Sequence, residues 1–306
     1  PDEAVVQRMV RILSHRGPDG NGVWSDSHLA LGHTRLSIVD LIGSSQPIIG
    51  ANNTVLIANG EIYNHSGLRK RLNYPWKTSG DSEVILALHD KFIKNGGTEK
   101  HTDWVSELNG MFSFALWDAN RKELILARDA LGIKPLVRCE VGGSLLFASE
   151  MKAFHAHESY HPQLDKLSLA LRLAWEYNLD SSTLIEGVHQ VRPGTVEVWR
   201  LDDRSRPYLH SKGSFERQSI NAQPEWSPAN NAQALLESFT VSVQERLMAD
   251  VPVGIVLSGG LDSSLVAAVA SEAAAREGKP VPACWTVAES EDNPDWIAAE
   301  SVASSL

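Results

Sequence analysis

The feature that most constrains this chain is the turn Ser258-Gly259-Gly260-Leu261-Asp262-Ser263-Ser264, which joins an apolar run at 253–257 to a helical pattern at 263–276. A strand pattern at 281–287 and a helical one at 295–306 follow, and a helical pattern at 229–247 precedes. Strands that alternate with helices predict a parallel, doubly wound sheet, because parallel neighbours need a crossover between them. At the head of a helix, free N–H groups and the dipole attract an anion, and paired glycines let the backbone approach it closely. Ser258, Ser263 and Ser264 add neutral donors for phosphate oxygens. The turn lacks the lysine of G-x-x-x-x-G-K-[ST], so it is not a Walker loop. A plain Ser/Gly turn with a helix cap is the bland alternative; the strand before and helix after count against it.

The first 200 residues follow another rule. Apolar runs at 111–117, 124–127, 136–139 and 145–148 are separated by the turn signals Asp118-Ala119-Asn120, Leu131-Gly132 and Gly142-Gly143, which predicts an antiparallel meander. Upstream, helical spacing covers 5–13, strand patterns cover 29–39 and 54–58, and a helix is expected at 81–92 with Ser79 to Asp81 as its cap. A further helix is expected at 164–175. Residues 201–228 are polar, contain Pro207, Pro224 and Pro228, and show no period, so they read as a linker. At 306 residues there is room for about two domains of ~150 residues. The expected plan is a β-rich domain over 1–200, a linker over 201–228 and the start of an α/β domain over 229–306.

The net charge of −10 does not suggest a nucleic-acid partner, which normally needs a basic face. No apolar run approaches the ~20 residues that span a bilayer, and no signal-peptide pattern opens the chain, so a cytoplasmic protein is expected. Two cysteines, Cys139 and Cys284, are too few for a disulfide framework or a four-cysteine zinc site. Pro1 in place of methionine, and an end at Leu306 directly after a periodic segment, predict that both ends are cuts through a longer protein.

Four short segments carry polar residues where packing alone does not ask for them. Arg35 sits in the apolar run Leu36-Ser37-Ile38-Val39 and its lead-in, with the fork that a carboxylate requires; a solvent-facing arginine is the bland alternative. In Asn59-Gly60-Glu61-Ile62-Tyr63-Asn64, read as a sharp turn after a strand, the Asn59 amide beside the Gly60 N–H suits an oxyanion hole for acyl transfer. A simple Asn-Gly hairpin is the alternative there. Asp81 in Ser79-Gly80-Asp81-Ser82-Glu83 suits a substrate ammonium, and equally an N-cap.

Together these segments resemble the class II glutamine amidotransferases, an α+β N-terminal-nucleophile (Ntn) hydrolase sandwich. The resemblance extends through His15-Arg16-Gly17-Pro18-Asp19-Gly20, Leu108-Asn109-Gly110-Met111-Phe112, Ala127-Arg128-Asp129, Leu131-Gly132-Ile133-Lys134-Pro135-Leu136 and Ala148-Ser149-Glu150-Met151-Lys152-Ala153. With the turn at Ser258–Ser264, which is similar to the pyrophosphate loop of α/β doubly wound PP-loop ATPases, it points to the glutamine-dependent asparagine synthetase family. That resemblance implies Arg35 as ligand of the glutamine carboxylate, Asn59 and Gly60 as oxyanion hole, and Glu61 and Asp81 around the glutamine amino group. It implies Leu257, Ser258, Gly259, Gly260, Asp262, Ser263, Ser264 and Val287 as ATP contacts, with Asp262 linked to Mg2+. The implied substrates are glutamine, aspartate and ATP, and a homodimer is an open expectation. An asparagine-synthetase-like ligase or β-lactam-type synthetase acting on another carboxylate, or a non-catalytic glutaminase-like scaffold, is the alternative. The family's nucleophile is an N-terminal cysteine; neither Cys139 nor Cys284 occupies that place, so the chain as it stands is expected to be inert. Leu124, Leu136 and Leu146 are candidates to line an ammonia route, with ordinary core as the preferred reading.

Overall fold

A computed structural model describes residues 2–97, 100–178, 180–215, 225 and 227–306, and the chain divides into two compact units, Pro1–Ser219 and Ile220–Leu306. In the first unit, α1 (Glu3–Ile12) leads to β1 (Gly20–Ser25), β2 (Ala30–Arg35), β3 (Ile48–Ile49) and β4 (Thr54–Ile62). Helices α2 (His65–Arg71), α3 (Glu83–Lys94) and α4 (His101–Val105) follow, then β5 (Gly110–Asp118), β6 (Glu123–Arg128), β7 (Val137–Val141) and β8 (Ser144–Ala148). After α5 (Lys166–Trp175) come β9 (Val188–Gln190), β10 (Thr195–Leu201) and β11 (Pro207–Ser214). The strands form a six-stranded antiparallel sheet in the order β11-β10-β6-β5-β4-β3, a three-stranded sheet β8-β7-β9 and the pair β1-β2.

Period-2 alternation sorts the side chains into layers. One face of the large sheet, through Leu56, Phe114, Leu116, Ile125 and Val198, packs on Ile85, Leu88 and Trp104 of α3 and α4. Its other face, through Val55, Trp117, Leu124 and Trp199, meets Leu31 of β2 together with Leu136 and Val191. The β8 residues Leu146 and Ala148 then point the opposite way, onto Val5 and Met9 of α1. The order is helix, sheet, sheet, helix, the sandwich expected of an Ntn fold. Burial on both faces explains why β5 and β6 read as continuous apolar runs. Glu123 at the β5–β6 turn is buried, yet bonds from His101, Arg121 and Arg200 outweigh that burial and hold its carboxyl well below the usual range.

Two expectations need correction. The expected meander over β5 to β8 holds for the pairs β5-β6 and β7-β8, but it breaks between them: the next neighbour of β6 is β10, and β7-β8 belongs to the other sheet. The cause is Asp129: its carboxylate accepts from the N–H groups of Leu131 (3.1 Å), Ile133 (2.9 Å), Lys134 (3.0 Å) and Phe112 (3.3 Å). Arg128 binds the carbonyls of Lys134 (2.8 Å), Gly132 (2.7 Å) and Val191 (2.9 Å), so the chain is turned out of one sheet into the next. Residues 207–214, expected within the linker, form the edge strand β11 paired to β10. Its side chains at 208–212 are exposed, so its backbone is satisfied by the ladder while burial leaves no period to read. The linker residues 216–224 and 226 lie outside the described residues.

The second unit contains α6 (Pro228–Arg246), β12 (Gly254–Val256), α7 (Leu261–Arg276), β13 (Ala283–Trp285) and α8 (Pro294–Ser305), all within a few residues of expectation. Strands β12 and β13 are parallel, and Ile255, Leu257, Ala267, Ala270, Val243 and Ala299 form the core around them. No described helix is long and apolar enough to cross a membrane.

Asp129→Ala removes one buried acceptor from four backbone donors, each charge-assisted. It is expected to cost about 3 kcal/mol or more of unfolding free energy, read from urea denaturation of the first unit's transition; a loss under about 1 kcal/mol contradicts this account of the sheet-to-sheet loop.

Candidate active site

In the first unit a cavity of about 500 Å3 is bordered by Arg35, Asn59, Gly60, Glu61 and Asp81 together. The five residues come from three loci. Arg35 ends β2, on the same strand face as His33, and its backbone is fixed by Asp19: Asp19 N–H donates to the Arg35 carbonyl (3.0 Å) and Ser37 N–H to the Asp19 carboxylate (2.7 Å). The Arg35 guanidinium is half-buried and already holds the carbonyls of Leu41 (3.1 Å), Asp40 (2.5 Å) and Val39 (3.4 Å). Asp40 in turn accepts from Ser79 N–H (2.8 Å) and the Ser44 hydroxyl (2.7 Å). That relay ties the loop after Arg35 to the one before Asp81.

Asn59 and Gly60 do not form the expected sharp turn. They lie inside β4, paired with Ser113 and Phe112 of β5. The extended run survives because Gly60 has φ +146°, a region side chains avoid, and a Cβ there would collide with the Met111 carbonyl oxygen. Even-numbered residues of β4 turn their backbone groups to the edge away from β5. The Phe112 N–H and carbonyl are both engaged by Asp129 on the far side, which fits that alternation. On the open edge, Ala58 N–H is taken by Gln46 Oε1 (2.6 Å) and Ile62 N–H by Asp81 Oδ2 (2.7 Å). Gly60 N–H, midway between them, is left facing the cavity. Beside it the Asn59 Nδ2 is buried without a hydrogen-bond partner among the described residues. Two donors on adjacent residues thus border the cavity with no acceptor among the described residues, a donor set that suits a developing oxyanion.

Asp81 precedes α3 but does not cap it by its side chain; the cap position is Ser82, whose hydroxyl makes no capping bond and donates to Asp81 Oδ1 (3.5 Å). The carboxylate goes to Ile62 instead, because β4 offers there an N–H donor for which no neighbouring strand supplies an acceptor. Burial raises the Asp81 pKa against the bond from Ile62. Glu61 is raised too, first by burial and then by the Asp81 charge, with Lys134 opposing. Two half-starved carboxylates on one wall favour a cationic ligand. Lys134 and Gln46 border the same cavity and were not singled out as site residues. Lys134 stood inside a noted motif; Gln46 lies in a loop and carried no sequence signal, whereas His33 was two residues from Arg35 and so on its face.

Cys139 is buried in β7 among core residues and does not border the cavity; burial pushes its thiol up, as does the Glu140 charge. Leu124, Leu136 and Leu146 are core members that also border the cavity.

In the second unit, the expected turn follows β12 and opens α7. Gly259 has φ +75°, and a Cβ there would overlap Ala298 and Ala299 of α8. Gly260 is the N-cap of α7 and provides no side-chain bond, so the first N–H groups stay free for an anion. Ser263 Oγ bonds Ser258 N–H (3.2 Å) and the Ser258 hydroxyl (3.0 Å), drawing the loop around the helix head. Ser264 Oγ is buried without a hydrogen-bond partner among the described residues. Leu257 is buried, its N–H donating to the Trp285 carbonyl (2.8 Å), while Val287 beyond β13 is 95% exposed. The donor set fits a polyphosphate. Among the described residues no three His, Cys, Asp or Glu side chains are grouped for a metal ion. Asp262 is a single exposed carboxylate, which fits Mg2+ only when phosphates complete the shell.

Residues 1–209 match the glutamine amidotransferase domain family, and residues 234–306 match the asparagine synthase family. Asparagine synthetase B (glutamine-hydrolyzing) of Escherichia coli is 34% identical over 308 residues, covering 97% of this chain and 48% of the relative. Asparagine synthetase (glutamine-hydrolyzing) 3 of Bacillus subtilis is 32% identical over 286 residues, 91% of this chain and 44% of the relative. Amidase chry2 of Gibberella zeae is 36% identical over 266 residues, 85% of this chain and 38% of the relative. The chain thus spans less than half the length of these three curated relatives. With the cavity, the open Gly60 N–H and the paired carboxylates in one unit, the chain belongs to the glutamine amidotransferase domain family, followed in the same chain by an asparagine synthase segment.

Proposed function

We propose that this chain is part of a glutamine-hydrolysing asparagine synthetase, a carbon–nitrogen ligase that takes its nitrogen from glutamine. The observation that carries this reading is the convergence of Arg35, Asn59, Gly60, Glu61 and Asp81 on one cavity, with two unengaged donors at its wall. Arg35 has five donors and holds three carbonyls, so it can still present an N–H to the substrate carboxylate. Glu61 and Asp81 take the ammonium. Attack by a thiolate on the side-chain amide would place the oxyanion at Gly60 N–H and Asn59 Nδ2. Neither Cys139 nor Cys284 supplies that thiolate: one is core, the other lies in the second unit. In the second unit the backbone and hydroxyls at Leu257, Ser258, Gly259, Gly260, Ser263 and Ser264, flanked by Val287, would hold ATP, with Asp262 toward Mg2+. Bound ATP supplies the adenylate group that activates the acceptor carboxylate. The acceptor in this reading is aspartate. The acceptor is what separates this reading from a ligase or β-lactam-type synthetase for another carboxylate; AMP release across a panel of carboxylates decides between them. The reading places the protein in the cytoplasm, in keeping with two free cysteines, and carries a homodimer as an expectation for sedimentation to test.

Titration of this chain with L-glutamine, followed calorimetrically, tests the pocket. Arg35→Lys keeps the charge but loses the fork and is expected to weaken binding about tenfold or more, since a charge-assisted bond contributes about 1.5–3 kcal/mol. Equal affinity in the variant, or no binding by the wild type, removes the basis of the reading.

The same titration has a predicted pH dependence. The Asp81 and Glu61 carboxyls ionise above their ordinary values because of burial and, for Glu61, the Asp81 charge. Only the ionised forms pair with an ammonium. Affinity is therefore full above the raised values and lost as pH falls through them, at higher pH than for exposed carboxyls, and Asp81→Asn should flatten the profile.

Gly259→Ala is expected to weaken ATP binding about tenfold, from about 1–2 kcal/mol of left-handed strain plus the overlap with α8. L-glutamine affinity should not change; a variant that keeps its ATP affinity contradicts the assignment of this loop.

A further inference from the structure

The open edge of β4 is closed on both sides of Gly60 by side chains where a neighbouring strand is lacking. Strand β3 ends its pairing at Ile48 opposite Leu56, two residues short of Ala58. There the Gln46 carboxamide copies a strand's two-point bond. Its Oε1 accepts from Ala58 N–H (2.6 Å), and its Nε2 donates to the Ala58 carbonyl (3.0 Å). His33 Nε2 donates to the same carbonyl at 3.1 Å, which assigns its proton to Nε2 because a carbonyl only accepts. Burial, against the Ala58 bond, lowers the His33 pKa to about 4, so the ring is neutral near pH 7 and that tautomer persists. The Gln46 backbone is pinned in turn by Gly22, which pairs with His33 across β1-β2; a Cβ on Gly22 would collide with the Gln46 carbonyl oxygen. Downstream, Asp81 closes Ile62.

We propose that Gln46, backed by His33, is a positioning residue for the oxyanion hole: its carboxamide replaces the strand backbone missing opposite Ala58 and thereby sets the direction of Gly60 N–H and the Asn59 side chain. This rests on the glutaminase reading of the cavity. Gln46 acts through Ala58 and touches no reacting atom in that role. Arg35, Glu61 and Asp81 hold the ground-state substrate from other anchors, the 39–41 carbonyls and Ile62 N–H among them, so losing the Gln46 bonds should spare substrate binding and impair only the transition state.

Gln46→Met keeps the length and bulk of the side chain and loses both bonds. In the full-length protein it is expected to lower kcat for glutamate release by about tenfold to a hundredfold, with KM for glutamine within about twofold of wild type. Gln46→Glu keeps the acceptor and regains the donor only when protonated, so its kcat relative to wild type should recover as pH falls, which a merely structural residue would not show. In this chain, 1H–15N spectra of Gln46→Met should show the Gly60 amide displaced while the Ile62 amide stays in place. A rise in KM at unchanged kcat, or an undisplaced Gly60 amide, overturns the proposal. Were the wild type to release no glutamate at all, the glutaminase reading would fall, and the Gly60 amide would still decide for or against the clamp. If Gln46→Met fails to fold, Gln46→Glu carries both measurements.

Discussion

Strand β4 is built under one constraint on which the site depends: its backbone must be satisfied on an edge where the neighbouring strand stops early. A buried N–H without an acceptor costs about 1–3 kcal/mol, so each position beyond Ile48 needs another solution. Ala58 is served by Gln46 and His33, Ile62 by Asp81, and Gly60 by nothing among the described residues. An unserved donor in an otherwise complete row is a deficiency that a ligand oxygen can remove. The same strand keeps running straight through Asn59-Gly60 only because Gly60 tolerates φ +146°. The order of residues in β4 thus produces both a nine-residue strand next to the sheet edge and the gap in its bonding.

Electrostatics supply the second half of the site. Glu61 and Asp81 share a wall where burial disfavours their charges, and Lys134 relieves only Glu61. Arg35 is spent largely on carbonyls of its own loop, so the cavity carries a negative wall near a cation whose donors are mostly occupied. That asymmetry suits a zwitterion bound by its ammonium first. The loop bearing Lys134 is placed by Arg128 and Asp129, the same pair that carries the chain from one sheet to the other. Fold and site therefore share a hinge of hydrogen bonds, and a substitution there acts on both.

Much of the secondary structure was legible. The runs at 111–117 and 124–127 became β5 and β6, and the strand-turn-helix around Ser258 became β12 and α7 with shifts of one or two residues. What misled was local chemistry overridden by pairing. Asn59-Gly60 has the composition of a turn, yet a nine-residue ladder with β5 outweighs that preference. Residues 207–214 look like linker because an exposed edge strand needs no apolar face. Asp81 looked like a cap, and found a better donor in Ile62. The site residues themselves were readable as polar interruptions of apolar patterns; Gln46 was not, since a loop amide has no pattern to interrupt.

The sequence alone determined a β-rich part followed by an α/β part, because periodicity and turn residues separate the two; the sandwich class came from the resemblance of its motifs, and the glycines at 259 and 260 gave the expectation of an anion at the turn. The sequence also determined which residue types were available for an amino-acid pocket. Only the tertiary structure decided that Arg35, Asn59, Gly60, Glu61 and Asp81 share one cavity, and that Gly60 N–H is the donor left over. The reason is that hydrogen-bond satisfaction is settled between segments distant along the chain: whether a backbone group is free depends on what every neighbour has already taken.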